Sequence, residues 1–291
     1  MTQQATPLIQ PPVQPGRDSS IGGLLLESGK ISPENAERVL RMQKELGMRF
    51  GEAAMRLGLI TEEDIQQVLA RQFDYPYLLQ GETKYASELV AAYQPFSQQV
   101  EKLRAVRSQL MLRWFARGRK SLVVVGINPG DGASLFVANL AIVFSQLGEK
   151  TLLVDANLRN PRQHQIFDIQ ARQGLSDMLA GRADLDAVTK IDSFVALSVL
   201  GAGTLPPNPQ ELLSRSSFGG LSAQLESNFD VVLYDASSFS QGSDALAIAT
   251  RAGGVLLVAR RNHTQVADIQ AMQEQMAHSG AEVVGSVLVD F

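Results

Sequence analysis

Residues 121–159 constrain this chain more than any other stretch. Ser121-Leu-Val-Val-Val-Gly-Ile127 is an apolar, β-branched run of strand length. Asn128-Pro-Gly-Asp-Gly-Ala133 follows as a turn-forming loop. Ser134 to Leu147 then carries helical spacing through Phe136, Leu140, Val143 and Leu147, and Thr151-Leu-Leu-Val154 is a second strand that ends in Asp155-Ala-Asn-Leu-Arg159. A strand, a glycine-rich loop and a helix in that order aim backbone N–H groups and the positive end of a helix dipole at one point. That point favours a phosphate.

The frame is that of a P-loop, whose working form ends Gly-Lys-Ser/Thr. Here the loop ends Gly132-Ala133-Ser134, so the lysine cation is missing. Further strand candidates lie at 194–200, 229–235, 254–259 and 283–289, and helix candidates at 134–147, 174–180, 209–226, 243–251 and 265–278. Their alternation predicts an α/β fold, a parallel sheet with helices on both faces, over 119–291. Ligands of such sheets bind beyond the strand C-termini, so 126–134, 155–159 and 235–239 should converge. Gly130, Asp131, Gly132, Ser134 and Arg159 are the candidate nucleotide ligands. Ser134, Asp155 and Asp235 are the candidate Mg²⁺ ligands, with Asp155 and Asp235 as the catalytic carboxylates. ATP or ADP with Mg²⁺ is expected to bind weakly, because Ala133 brings no charge.

The chain has 291 residues, net charge −4 and no cysteine. That length allows two domains. No basic stripe marks a nucleic-acid surface, and three scattered histidines make no zinc site. No apolar run reaches membrane-spanning length, and the Pro/Gln-rich start lacks the layout of a secretory signal, so a cytoplasmic location is expected. Residues 1–18 read as a disordered tail. A helical tandem repeat follows over 19–79. At an offset of 29 positions, Gly22/Gly51, Gly29/Gly58, Ile31/Ile60, Glu34/Glu63, Val39/Val68, Leu40/Leu69 and Gln43/Gln72 coincide. Ser32 and Thr61 suit N-caps, and the later glycines of each copy suit C-caps. Residues 80–118 read as a connector plus a helix that brings Glu101, Arg104 and Arg107 together by threes.

The repeat resembles the N-terminal domain of type II secretion and pilus assembly ATPases. Some members of that family bind cyclic di-GMP through tandem arginine, glycine, leucine and glutamine motifs. The second copy matches at Arg49, Gly51, Gly58, Leu59, Ile60, Leu69 and Gln72. The resemblance therefore implies a cyclic-dinucleotide site at Arg49, Gly51, Gly58, Leu59 and Gln72. In the first copy Ser20 stands where the arginine would be, and Lys30 where an apolar residue would be.

Residues 96–291 resemble the cytoplasmic domain of bacterial tyrosine autokinases, the partners of chain-length regulators in exopolysaccharide export. Pro129-Gly-Asp-Gly-Ala-Ser134 and Asp155-Ala-Asn-Leu-Arg159 stand at its phosphate and acidic motifs. Pro206-Pro-Asn-Pro-Gln-Glu-Leu-Leu213 and Val284-Gly-Ser-Val-Leu-Val-Asp-Phe291 also follow its pattern. The two-part arrangement resembles the EpsG type. The resemblance implies ring contacts through Glu101, Arg104 and Arg107, hence a homo- or hetero-oligomer. It also implies recruitment to the inner membrane by a chain-length regulator. Against the family pattern stand Ala133, Asn157 in place of an acid, Ser237-Ser238 in place of Thr-Pro-Pro, and a tail without a tyrosine cluster. The expectation is a degenerate kinase-like regulator. The alternative is an active tyrosine autokinase that uses Lys150 or Arg159 as its cation. A partitioning ATPase would need loop lysines that are absent.

Overall fold

A computed structural model describes residues 20–72, 78 and 83–290, with the backbone alone at Arg71 and Gln72. The tail over 1–18, Tyr75, Tyr77 and Phe291 lie outside the described residues. The chain divides into two compact units, Met1–Tyr75 and Pro76–Phe291.

The first unit holds α1 (Ile21–Glu27), α2 (Pro33–Leu46), α3 (Phe50–Arg56) and α4 (Glu62–Gln72). Ser20 and Ser32 cap their helices by accepting from Gly23 and Asn35 N–H, and Thr61 accepts from Asp64 N–H. Gly29 and Gly58 adopt φ +68° and +66° just past α1 and α3, the left-handed geometry that ends a helix. The core is Leu25, Ile31, Val39, Ala53, Ala54, Ile60 and Val68. Lys30, the departure in the first copy, pairs with Asp64 of the second at 2.7 Å. Burial pushes the Asp64 carboxyl up, but the bonds from Lys30 and Thr61 outweigh it and hold it below its ordinary value.

The second unit contains α5 (Val90–Tyr93), α6 (Gln98–Arg113), β1 (Ser121–Gly126), α7 (Ala133–Ser145), β2 (Thr151–Asp155), α8 (Gln163–Ile166) and α9 (Leu175–Leu179). It continues with β3 (Thr189–Lys190), β4 (Leu197–Leu200), α10 (Pro209–Ser214), α11 (Ser216–Asn228), β5 (Val231–Asp235), α12 (Asp244–Ala252), β6 (Gly254–Arg260), α13 (Val266–His278) and β7 (Glu282–Val289). The sheet order is β3-β4-β2-β5-β1-β6-β7, parallel except for β3. Strand alternation sends Leu122 and Val124 to the face covered by α6 and α7, and Val123 and Val125 to the face covered by α10–α13. α7 is buried from Phe136 through Ser145, which explains its near-uniform apolarity.

Several boundaries differ from the sequence reading. The single helix over 209–226 is two, because Arg215 is extended at ψ 149°. The helix over 134–147 stops at Ser145, and the chain turns at Gly148 with φ +96°. Residues 83–95 belong to the second unit. Ala91 N–H donates to Asn139 Oδ1 at 2.8 Å, and Leu89 through Tyr93 reach the core. Trp114 ties α6 to the sheet through Nε1–H to Ser121 O at 2.8 Å.

Candidate functional site

The phosphate loop has the shape its sequence predicts. Gly130 and Gly132 take φ +90° and +80°, which a side chain would strain. Gly132 offers no side chain to cap α7, so the N–H groups of its first turn remain for a ligand. Ala133 is the first residue of that helix, at the position of the missing lysine. The loop borders a cavity of about 230 Å³, to which Gly130, Gly132, Ala133 and Ser134 contribute from one side and Asn157 and Arg162 from another.

Asp131 borders the same cavity, but its carboxylate turns away from the loop's phosphate face. Its carboxylate is buried, with Oδ2 accepting Asn128 N–H at 2.7 Å and Oδ1 accepting Thr264 Oγ1 at 2.9 Å. His263 Nδ1 lies 2.8 Å from the same Oδ1, and Arg260 Nη1 donates to Gly130 O at 3.2 Å. The segment after β6 therefore pins the loop from behind. A carboxylate in the cradle itself would repel phosphate, so the inward placement is the physically consistent one.

Register places Asp155 directly opposite Asp235 at the C-terminal ends of β2 and β5. Ser134 Oγ donates to Asp235 Oδ1 at 3.1 Å, and Gln163 Nε2 donates to Asp235 Oδ2 at 2.7 Å. Asp155 Oδ2 accepts Arg162 and Gln163 N–H at 3.0 and 2.9 Å, while its buried Oδ1 has no hydrogen-bond partner among the described residues. Burial raises both carboxyls above their ordinary range, and the neighbouring Asp235 charge raises Asp155 further. Two carboxylates and a hydroxyl at one strand end, with one oxygen buried and unsatisfied, fit Mg²⁺ completed by phosphate and water. Bound there, the ion would neutralise charge on a nucleotide's phosphates.

The two cations proposed to replace the lysine do not reach the cradle. Arg159 Nε and Nη2 donate to Asp244 Oδ2 and Oδ1 at 2.6 and 3.0 Å, and this bond raises the pKa of Arg159. Ser237 Oγ donates to the same Asp244 Oδ2 at 3.3 Å. Lys150 precedes the N-terminal end of β2, at the end of the strands opposite the cradle, where its backbone N–H meets Asp230. Asn157 Oδ1 caps the following turn by accepting Asn160 N–H at 3.0 Å. Sequence reasoning missed Arg162, Gln163 and His263, which sit outside the recognised motifs.

The charged triplet on α6 works within the chain. Arg104 pairs with Glu101 and donates Nη2–H to Pro95 O at 2.7 Å, and Arg107 Nη1 donates to Val143 O at 2.8 Å. Glu101 keeps a largely exposed side chain.

In the first unit, Arg49 borders a cavity of about 630 Å³ together with Ser20, Gly22, Leu40 and Gln43 of the first copy. Phe50 of the second copy also borders it, whereas Gly51, Gly58 and Leu59 do not. A Cβ on Gly51 would stand 2.9 Å from Ile65 Cδ1, so this glycine serves helix packing. Gly58 ends α3, Leu59 packs against the small core, and the Gln72 side chain lies outside the described residues.

The sheet and its loop define a P-loop NTPase-type α/β protein. Residues 119–278 match the family model described as cellulose biosynthesis protein BcsQ. The putative tyrosine-protein kinase CapB of Staphylococcus aureus is 30% identical over 202 residues, 69% of this chain and 89% of that protein. Tyrosine-protein kinase wzc of Salmonella typhimurium is also 30% identical over 202 residues, but the chain spans only 28% of its length. The kinase domain of Escherichia coli tyrosine kinase ETK superposes with a TM-score of 0.69 at 28% identity, over 72% of this chain and 82% of that one. The septum site-determining protein MinD of Pyrococcus horikoshii, complexed with Mg-ADP, shares the fold with a TM-score of 0.51 at 20% identity, over 58% of this chain and 70% of that one. The chain belongs to the family of bacterial tyrosine-protein kinases. Among the described residues no helix is long and apolar enough to cross a membrane.

Proposed function

We propose that this chain is a kinase-like regulator of exopolysaccharide polymerisation and export that holds a nucleotide without efficient phosphoryl transfer. The observation that carries the reading is Ala133 in an otherwise complete cradle, with Ser134, Asp155 and Asp235 joined beneath it. Transfer of a γ-phosphoryl group needs cationic stabilisation of the charge that develops on it. Ala133 supplies none, Arg159 is engaged by Asp244, and Lys150 is at the wrong end of the sheet. Among the described tyrosines, Tyr93 and Tyr234 are buried and Tyr85 is half-buried, which makes these three poor internal substrates. The kinase relatives and the cellulose-biosynthesis family model support the polysaccharide setting, in which a membrane chain-length regulator recruits the chain to the inner membrane and α6 carries self-association. The test is incubation of purified protein with Mg-ATP, read by phosphotyrosine mass spectrometry. No modified tyrosine is expected. Phosphorylation abolished by Asp155→Ala would overturn the regulator in favour of an active autokinase.

The first unit supports a second role, as a cyclic di-GMP sensor. Its support is the cavity where Arg49 of one copy meets Gln43 of the other. Its site then combines both copies instead of using the second alone.

A further inference from the structure

Arg162 occupies a position that neither the phosphate motif nor the acidic motif covers. It is exposed, and it borders the same cavity as Gly130, Gly132 and Ala133. Among the described residues no hydrogen bond or ion pair holds its guanidinium, in contrast to Arg159. Its backbone is fixed, because Arg162 N–H donates to Asp155 Oδ2 at 3.0 Å and Pro161 precedes it. Its charge is felt by Asp235 at the floor of the site. A cation anchored at its root and open at its tip faces an uncapped helix N-terminus, beside the buried, partnerless Asp155 Oδ1.

We infer that Arg162 is the phosphate-binding cation of this chain, contacting the terminal phosphates of a nucleoside diphosphate or triphosphate in place of the lysine absent at 133. The assignment rests on the nucleotide-holding part of the proposed function and adds the residue that recognises the ligand. A guanidinium presents a planar fork that can bind two phosphate oxygens at once, where a lysine is a point charge. Because the fork approaches from the β2 side, the ligand requires at least two phosphates to meet both it and the loop amides.

The experiment is calorimetric titration of the full chain with ADP and Mg²⁺, using wild type, Arg162→Ala and Arg162→Lys, with AMP as a second ligand. Arg162→Ala is expected to bind Mg-ADP about tenfold or more weakly, the loss of one charge-assisted contact. Its thermal unfolding should stay close to wild type, since among the described residues no hydrogen bond or ion pair holds the side chain. Arg162→Lys should recover part of the loss, and AMP should bind no better to wild type than to Arg162→Ala. Equal Mg-ADP affinity in wild type and Arg162→Ala would overturn the assignment, as would wild type that fails to bind while Ala133→Lys binds. Phosphotyrosine on the wild type would remove the regulator reading and leave this assignment standing, so the two fail separately.

Discussion

The guanidinium of Arg159 closes on the buried carboxylate of Asp244 through two hydrogen bonds, at 2.6 and 3.0 Å. The pair joins the loop after β2 to the start of α12. Arg159→Ala would leave Asp244 buried without its cation, the situation in which removal of one partner is most harmful. Arg159 is about one-third exposed, at 35%, so water offsets part of the loss. A fall of about 2 kcal/mol in urea-induced unfolding is expected, with Mg-ADP affinity of the folded protein within about twofold of wild type. A large loss of affinity with unchanged stability would return Arg159 to the ligand set.

Restoring charge to the loop should act in two stages. Ala133→Lys should strengthen Mg-ATP binding about tenfold or more, because the rest of the cradle is formed. Turnover on an added tyrosine peptide should stay negligible until Asn157→Asp is combined with it, since an amide cannot accept the substrate proton. Radiolabel transfer to the peptide by Ala133→Lys alone would show that Asn157 is not limiting.

The facing carboxyls Asp155 and Asp235 make metal-free stability depend on pH. Their folded pKa values lie above the unfolded ones through burial, so the folded state holds more protons just above the ordinary carboxylate range. Stability from this source is complete below that range and is lost as pH rises through the raised values. Chemical denaturation between about pH 5 and about pH 8 should show a decline of up to about 1.4 kcal/mol per pH unit for one group. Asp155→Asn should flatten it, and a slope unchanged in that variant would contradict the assignment.

Self-association through α6 needs a variant that spares the fold. Arg104 and Arg107 hold Pro95 and Val143 carbonyls, so charge reversal there would unfold as well as dissociate. Glu101 is the suitable probe, with a side chain 63% exposed. Sedimentation of Glu101→Arg should show monomer where wild type assembles, with only a small fall in melting temperature from the lost pair with Arg104. Identical sedimentation of the two would exclude α6 as the contact.

For the first unit, cyclic di-GMP titrated into the full chain should show saturable heat that both Arg49→Ala and Gln43→Ala abolish, since both border one cavity. Binding that survives Gln43→Ala would place the site within the second copy.

The sheet was legible because its strands are doubly buried. Runs such as Leu122–Val125 and Val231–Tyr234 are near-continuously apolar, and such strands read clearly in a one-dimensional pattern. Glycine spacing likewise predicted the loop and both helix ends at Gly29 and Gly58. What could not be read was the direction in which polar side chains turn. Asp131 faces inward because His263 and Thr264, more than a hundred positions later, close around it. Arg159 was the motif arginine, yet its partner Asp244 lies 85 positions on, while Arg162, three residues later, borders the loop cavity. Partner choice over such separations carries no local periodicity. The two-residue β3 is too short to leave any.

α7 is a rod of 13 residues, roughly 20 Å long. One end presents the phosphate cradle, and near the other the Val143 carbonyl is gripped by Arg107 of α6. The rod is buried from Phe136 through Ser145. A ligand at the loop and a partner docked on α6 would both bear on this one helix. Linkage makes the exchange symmetric in binding free energy, so whatever factor nucleotide adds to assembly, assembly must add to nucleotide affinity. Such a helix would let the chain act as a gauge, reporting nucleotide level as a change in who stands beside it.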